Sequence, residues 1–264
     1  MRSLLAHATP ADIRTDPFPH IVIPDVLEAD LYAELAAGFP TTDRIVPGAS
    51  DSRGTGNRRY VLSTSMVMML NDMPDCWKRF ATLHSGPDFL AQVAALFDGH
   101  WQPAMLAALD GHLTGHPTAL VDLTQPPAAT GLEIRQDARL EINTPVRDRP
   151  SSARGPHLDT ANRLFSGLFY LRAPDDDSQG GELCLYRWRD GMVAAAPFDY
   201  QLPEAAVEEV VRIPYRANQL VLFPQSIHAL HGVGARWPTP HTRRYVFITA
   251  EMNRDWLAGP GEPT

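Results

Sequence analysis

The sequence predicts an α+β chain, an all-β core with helical support. From about residue 130 onward, short segments rich in Val, Ile, Leu, Phe and Tyr are broken by Pro, Gly and Asp, the punctuation of short strands. Before that point apolar residues recur at helical spacing. The 24 prolines among 264 residues, against roughly 5% in average usage, favour turns and short elements over long helices.

In chain order, Pro17 to Pro24 reads as extended, with Ile21, Val22 and Ile23 between the prolines. Asp25 is placed to cap a helix in which Leu27, Leu31, Leu35 and Phe39 recur, with Tyr32 beside them. Thr41 to Asn57 is polar and rich in Gly, Ser and Thr, which reads as a loop or as a lid near a site. Met66, Met68, Met69 and Met73 read as core filler. Cys76 to Phe97 is helical, with Trp77, Phe80, Leu83, Phe89, Leu90, Val93 and Leu96 as its apolar positions, and a third helix covers Pro103 to Leu113. Eight strand candidates follow: Ala138–Asn143, Pro156–Thr160, Leu164–Leu171, Gly181–Trp188, Val207–Ile213, Gln219–Phe223, Leu230–Val233 and Arg244–Glu251. Short strands without long crossovers suggest an antiparallel sandwich or barrel. No internal repeat and no clear linker appear, so the expectation is one catalytic domain, 1–264, mainly helical over about 1–130 with its core over about 131–252.

Composition narrows the function classes. Apolar residues make up 44% of the chain, enough for a sizeable core. The net charge is −8 and the pI about 5.6, so no overall basic field exists to hold nucleic acid or anionic lipid. No apolar stretch approaches the ~20 residues of a membrane span, and Met1 to Pro10 lacks the pattern of a signal peptide. A soluble cytoplasmic protein is expected. Cys76 and Cys184 form neither a disulfide framework nor zinc-type spacing, and Cys184 reads as a small buried hydrophobe. Oligomeric state is not legible; Trp237-Pro238 and Trp256-Leu257 suit an interface or packing against the helices equally.

The chemistry concentrates in Gly155-Pro156-His157-Leu158-Asp159-Thr160. On an extended segment, residues two apart point the same way, and a His–Asp pair suits Fe(II) while leaving most of its coordination sphere free. Downstream come Gly180-Gly181, the apolar strand Asn218–Phe223, a loop with His228 and His231, and then Arg243 and Arg244 before the apolar run Tyr245–Ala250.

That ordered set resembles the Fe(II)/2-oxoglutarate dioxygenases, most closely their prolyl-hydroxylase-like branch, over roughly residues 130 to 252, with a looser echo in Pro17–Ile23. The resemblance implies a double-stranded β-helix (jelly-roll, cupin-like) barrel buttressed by the N-terminal helices. It also implies that His157 and Asp159 are two metal ligands. The third is His231 or His228; His231 is preferred for its His-Gly-Val context, which leaves His228 facing substrate. Arg244 would clamp the distal carboxylate of 2-oxoglutarate, since a guanidinium fork takes a carboxylate bidentately, with Arg243 on the opposite face of the strand. Tyr170 would add its hydroxyl to that clamp, Asn143 would lie near the metal-bound end of 2-oxoglutarate, and Arg163 would hold a substrate carboxylate. Gly180-Gly181 serves backbone geometry. The stretch between His231 and Arg244, with Trp237-Pro238-Thr239-Pro240, is a few residues longer than in the prolyl hydroxylases.

The implied cofactors are Fe(II), 2-oxoglutarate as co-substrate and O₂. The implied reaction is hydroxylation of an unactivated C–H bond with release of succinate and CO₂; the carboxylate of Asp159 favours it over halogenation. Amino acid, peptidyl residue and natural-product intermediate all stay open as substrate, and Arg147, Arg149, Arg154 and Arg163 suit an anionic group on it. A cupin-like metal enzyme that does not use 2-oxoglutarate, and a barrel that only binds, are the competing readings.

Overall fold

In the computed structural model, which describes residues 1–46, 56–121, 131–192 and 199–258, the described residues form two facing sheets with a helical layer outside the larger one. The larger sheet is built from β1 (Ile21–Ile23), β2 (Arg59–Leu62), β3 (Thr118–Leu120), β4 (Ile134–Asn143), β5 (Arg163–Tyr170), β8 (Gln219–Pro224) and β10 (Arg243–Met252). Its order is β1-β8-β5-β10-β4-β2, with β3 running parallel to β4 and every other pair antiparallel. The smaller sheet has the order β7-β6-β9, from β6 (Leu183–Trp188), β7 (Val207–Ile213) and β9 (His231–Val233).

Strand alternation assigns each residue of the large sheet to a layer. On β10, Val246, Ile248 and Ala250 face the helices, whereas Tyr245 and Phe247 face the small sheet. On β8, Leu220 and Leu222 face outward and Val221 and Phe223 inward. The helical layer comprises α1 (Ala29–Ala37), α2 (Thr42–Ile45), α3 (Thr64–Met69), α4 (Asp75–His84), α5 (Pro87–Leu96) and α6 (Pro103–Ala108). Its amphipathic helix α4 buries Trp77 and Phe80, and Phe80 stacks on Phe169 of β5 with ring centroids 5.7 Å apart. Each such side chain contributes roughly 1.5–3 kcal/mol by burial. The Trp77 indole N–H donates to the Leu35 carbonyl (3.1 Å), tying α4 to α1.

Most expected helices and strands are present, with several differences. The stretch Cys76–Phe97 is two helices, α4 and α5, broken at Ser85-Gly86 ahead of Pro87, and the helix expected over Pro103–Leu113 ends at Ala108. The two sheets stay open: no strand of one pairs with a strand of the other among the described residues, so no closed barrel is seen. The first 130 residues are not only a helical support, because β1, β2 and β3 join the large sheet. Pro156–Thr160 is not a strand; only His157 pairs, in a two-way bridge with His231. Asp25 caps no helix; α1 starts at Ala29 after Glu28, and Asp25 instead pairs with Arg216 (2.7 Å). Met73 is buried, but Met66, Met68 and Met69 are exposed on α3 and are not core filler. Most of the expected lid, 47–55, lies outside the described residues. Trp237 is exposed and Trp256 buried. No described helix is long and apolar enough to cross a membrane.

Candidate active site

His157, Asp159 and His231 converge between the sheets, with one ligand atom from each lying within 4.8 Å of the others. The two histidines come together because their backbones bridge each other: each N–H donates to the other's carbonyl, at 2.8 and 3.0 Å. Gly232 permits this close approach, since a Cβ there would sit 2.7 Å from the Gly155 carbonyl. His157 donates through Nδ1 to the Gly155 carbonyl (2.8 Å), and His231 does the same to Ala229 (2.9 Å). A carbonyl only accepts, so both Nδ1 atoms carry the proton, which leaves both Nε2 lone pairs free at 3.9 and 3.7 Å from the Asp159 oxygens. Anchoring the distal ring nitrogen in this way fixes the tautomer that a metal needs.

Asp159 is held as firmly. The Ser166 hydroxyl donates to its Oδ2 (2.5 Å), and the Gln225 amide donates to its backbone carbonyl (3.0 Å). Burial works to raise its carboxyl, but the fields of His231, Arg163 and His157 and the Ser166 hydrogen bond override burial and hold it well below the usual carboxylate range. Burial pushes both imidazoles downward, His157 further because His231 lies beside it. Neutral imidazoles around an ionised carboxylate are the protonation states that metal binding requires.

A cavity of about 80 Å³ opens from this triad between the sheets, lined also by Arg59, Glu141, Arg154, Leu168, Tyr200, Arg243, Tyr245 and Phe247. Arg243 is its most unusual wall. The guanidinium is 1% exposed and enclosed by Tyr245, Tyr215 and Tyr170, whose ring centres lie 4.6, 4.9 and 5.0 Å away. Its Nη1 reaches Asn143 Oδ1 at 3.5 Å, while Nε and Nη2 have no hydrogen-bond partner among the described residues. The Tyr170 hydroxyl and Asn143 Nδ2 are likewise unpartnered there. A second buried cation, Arg236, stands close enough that Arg243 helps burial lower its pKa to about 10. A buried charge without a counter-ion is costly, so this cluster of donors is shaped for an anion.

Arg244 is therefore the wrong arginine for this wall. Its neighbours on β10 set the parity: position 244 falls with Val246 and Ile248 on the helical side. Its side chain lies over Phe39 (5.5 Å) and donates to the Leu171 carbonyl (3.2 Å). Register places Arg243 opposite Asn143 and Tyr245 opposite Tyr170. Tyr170 and Asn143 thus both stand against Arg243, and Asn143 is not at the triad. His228 is exposed and does not line the cavity. Arg163 is not a cavity wall; it is buried over Phe247 with Glu251 3.2 Å away. Of the arginines in 147–154, only Arg154 reaches the cavity.

Sequence reasoning missed Arg243, Ser166, Gln225, Tyr215 and Glu141. Glu141 is buried on the cavity wall, accepting from the Tyr245 hydroxyl (2.6 Å) and from Arg139 Nε (2.7 Å). Ser166 carried a usable signal, a lone serine in the apolar run Leu164–Leu171 on the same face as Leu168 and Tyr170.

Two histidines and a carboxylate, each oriented from behind, beside a cavity with an unpaired arginine, define a site of the non-haem iron type. Residues 147–249, which hold the triad, Ser166, Tyr170 and Arg243, match the sequence model of the 2OG-Fe(II) oxygenase superfamily. Enzymes of that superfamily are oxygenases that use Fe(II), 2-oxoglutarate and O₂. No curated protein sequence matches the chain. Among solved structures, the chain is similar to a prolyl 4-hydroxylase from Phytophthora capsici at 13% identity and a TM-score of 0.46, covering 88% of this chain and 58% of that one. A prolyl-4-hydroxylase from Pseudomonas putida matches at 16% identity and a TM-score of 0.40, covering 88% and 91%. HygX from Streptomyces hygroscopicus, solved with nickel and 2-oxoglutarate bound, matches at 14% identity and a TM-score of 0.41, covering 88% and 82%.

Proposed function

We propose that this protein is an Fe(II)- and 2-oxoglutarate-dependent dioxygenase that hydroxylates an unactivated C–H bond of an amino acid, a peptidyl residue or a natural-product intermediate. The observation that carries this reading is Arg243, a buried, unpaired cation on the wall of the cavity that holds the triad. In a cupin-like enzyme without 2-oxoglutarate, Arg243 would remain an uncompensated buried charge.

His157, Asp159 and His231 hold the metal, their geometry maintained by the carbonyls of Gly155 and Ala229 and by the Ser166 hydroxyl. Arg243 would hold the distal carboxylate of 2-oxoglutarate, helped by Tyr170 and Asn143; Arg243 Nε and Nη2, the Tyr170 hydroxyl and Asn143 Nδ2 otherwise have no partner among the described residues. When bound, iron and 2-oxoglutarate supply oxidising chemistry that the side chains lack. The protein's part is orientation and the exclusion of water, and Leu168, Leu183, Tyr245 and Phe247 give the cavity its apolar wall. The two facing sheets are read as the halves of a double-stranded β-helix, and the strands that the N-terminal region adds to the large sheet support a single catalytic unit over 1–264.

The test is an anaerobic titration of Fe(II) and then 2-oxoglutarate into the metal-free protein, watching for the weak visible charge-transfer band of a chelated keto acid. The band is expected in the wild type and in His228→Ala, and lost in His231→Ala. Fe(II) binding without a band would overturn the 2-oxoglutarate assignment; a band that needs His228 and not His231 would overturn the ligand set.

A further inference from the structure

The charges around the cavity can be paired one by one. Glu141 and Asp137 share Arg139 (2.7 and 3.8 Å), and Arg163 faces Glu251 (3.2 Å). On the reading above, Asp159 serves the metal and Arg243 serves 2-oxoglutarate. Arg59 lies 3.8 Å from that same Glu141. Besides Arg243, the cavity-lining cation with no carboxylate within 4 Å among the described residues is Arg154.

Arg154 is nevertheless held in place. Its guanidinium lies over the Tyr200 ring (4.8 Å), Nε donates to the Tyr200 carbonyl (2.7 Å), and Nη2 makes a long contact to the Leu158 carbonyl (3.5 Å). These partners are neutral acceptors, so they orient the fork without discharging it, and Nη1 has no partner among the described residues. Leu158 stands between the two ligands His157 and Asp159, which puts the guanidinium beside the metal end of the cavity. Two like charges, Arg59 and Arg163, act on Arg154 together with Asp159. Arg59 is only loosely engaged, 3.8 Å from a Glu141 that already has two closer donors. Arg163 is buried with Nε unpartnered among the described residues. The lining of this cavity carries Arg59, Arg154 and Arg243 against Glu141 and Asp159, so in a chain of net charge −8 it is locally positive.

We propose, resting on the dioxygenase reading, that the substrate carries an oxyanion, a carboxylate or a phosphate, which docks on Arg154 beside the metal end of the cavity, within the field of Arg59 and Arg163. The fork of a guanidinium matches either group. The anion anchors the substrate and leaves its apolar part to extend over Phe247 and Leu168 toward the triad.

The test uses the full chain loaded anaerobically with Fe(II) and 2-oxoglutarate, so that Arg243 is occupied. Binding of benzoate, phenyl phosphate and the uncharged benzamide is followed by ligand-observed NMR. Benzoate or phenyl phosphate is expected to bind at least about tenfold more tightly than benzamide, the worth of one charge-assisted bidentate contact. Arg154→Gln should abolish that preference, and Arg154→Lys, which keeps the charge without the fork, should keep part of it; thermal melts of both variants confirm that they fold. Tighter binding of phenyl phosphate assigns a phosphate, the reverse a carboxylate. Equal binding of all three probes, no binding of any, or a preference that survives Arg154→Gln would overturn the proposal. The wild-type keto-acid band is recorded on the same sample: its absence refutes the dioxygenase reading, and its presence without anion preference refutes this inference alone.

Discussion

Replacing Arg243 by Met should move stability and 2-oxoglutarate affinity in opposite directions. In the apo protein the guanidinium is 1% exposed, with two of its nitrogens unpartnered and Arg236 nearby as a second buried cation. An apolar side chain of similar volume among Tyr170, Tyr215 and Tyr245 removes that burden, and such replacements of buried charge stabilise by about 1–4 kcal/mol when they pack well. The melting temperature of the apo protein should therefore hold or rise. Affinity should fall steeply, because removing one partner of a buried charge pair costs about 2–5 kcal/mol, roughly thirtyfold to several thousandfold in Kd. Arg244→Ala is the matched control one residue away. It loses a cation–π contact with Phe39 and a hydrogen bond to Leu171, about 1 kcal/mol of stability, with 2-oxoglutarate affinity changed by less than about twofold. Anaerobic titration of the keto-acid band and a thermal melt of the apo protein measure both quantities. If Arg244→Ala weakens 2-oxoglutarate binding more than Arg243→Met does, the strand register described above is not the one that builds the site.

His84 supplies a pH prediction: buried against Phe80 and Phe89, it donates from Nδ1 to the Phe80 carbonyl and accepts at Nε2 from the Leu4 N–H, and burial lowers its pKa to about 4. The unfolded chain binds that proton from about pH 6.5 downward, so stability is fully present above 6.5 and falls by about 3 kcal/mol as the pH drops to 4; urea unfolding of apo protein should show that loss, and His84→Gln should show correspondingly less. Ser166→Ala frees Asp159 Oδ2 from its donor, and isothermal titration should find Fe(II) affinity reduced by roughly ten- to a hundredfold, whereas an unchanged affinity would remove Ser166 from the site. Gly180→Ala puts a Cβ 1.9 Å from the Ala235 carbonyl at a φ of +82°, and a fall in stability of at least about 1–3 kcal/mol is expected in denaturant unfolding.

What the sequence made legible follows from what alternation and motif can encode. The strands β5, β8 and β10 were readable because each is rich in β-branched, aromatic and aliphatic residues between turn formers, and β7 because its valines and isoleucine interleave with charged residues. The pair His157 and Asp159 was readable because residues two apart need only an extended backbone to share a side. Short strands such as β2 and β3 were not, since Arg59–Leu62 and Thr118–Leu120 become strands only by pairing with β4, a long-range fact with no local signature. The exposed methionines of α3 misled because methionine is apolar by type, while position is fixed by the docking of Thr64 on Asp137 and Ala138.

Which of Arg243 and Arg244 lines the cavity was illegible for a deeper reason. A strand with one wet face announces its register through polar alternation, but β10 is buried on both faces from Tyr245 to Ala250, so hydrophobicity is silent about which residues turn inward. Only the partners decide: Tyr245 lies opposite both Tyr170 and Glu141, and Arg243 opposite Asn143. The inner face of β4 is where the polarity was hidden, because Asp137, Arg139, Glu141 and Asn143 alternate with Ala138, Leu140 and Ile142 in a strand with no exposed residue. Apolar residues of β4 belong to the helical side, so its charged residues must face the small sheet and the triad. Pairing then carries that polarity across to the odd-numbered positions of β10, and one of those positions is Arg243. A buried strand that alternates charged and apolar residues is thus itself the signal of a polar cavity, and it fixes the register of its uninformative neighbour.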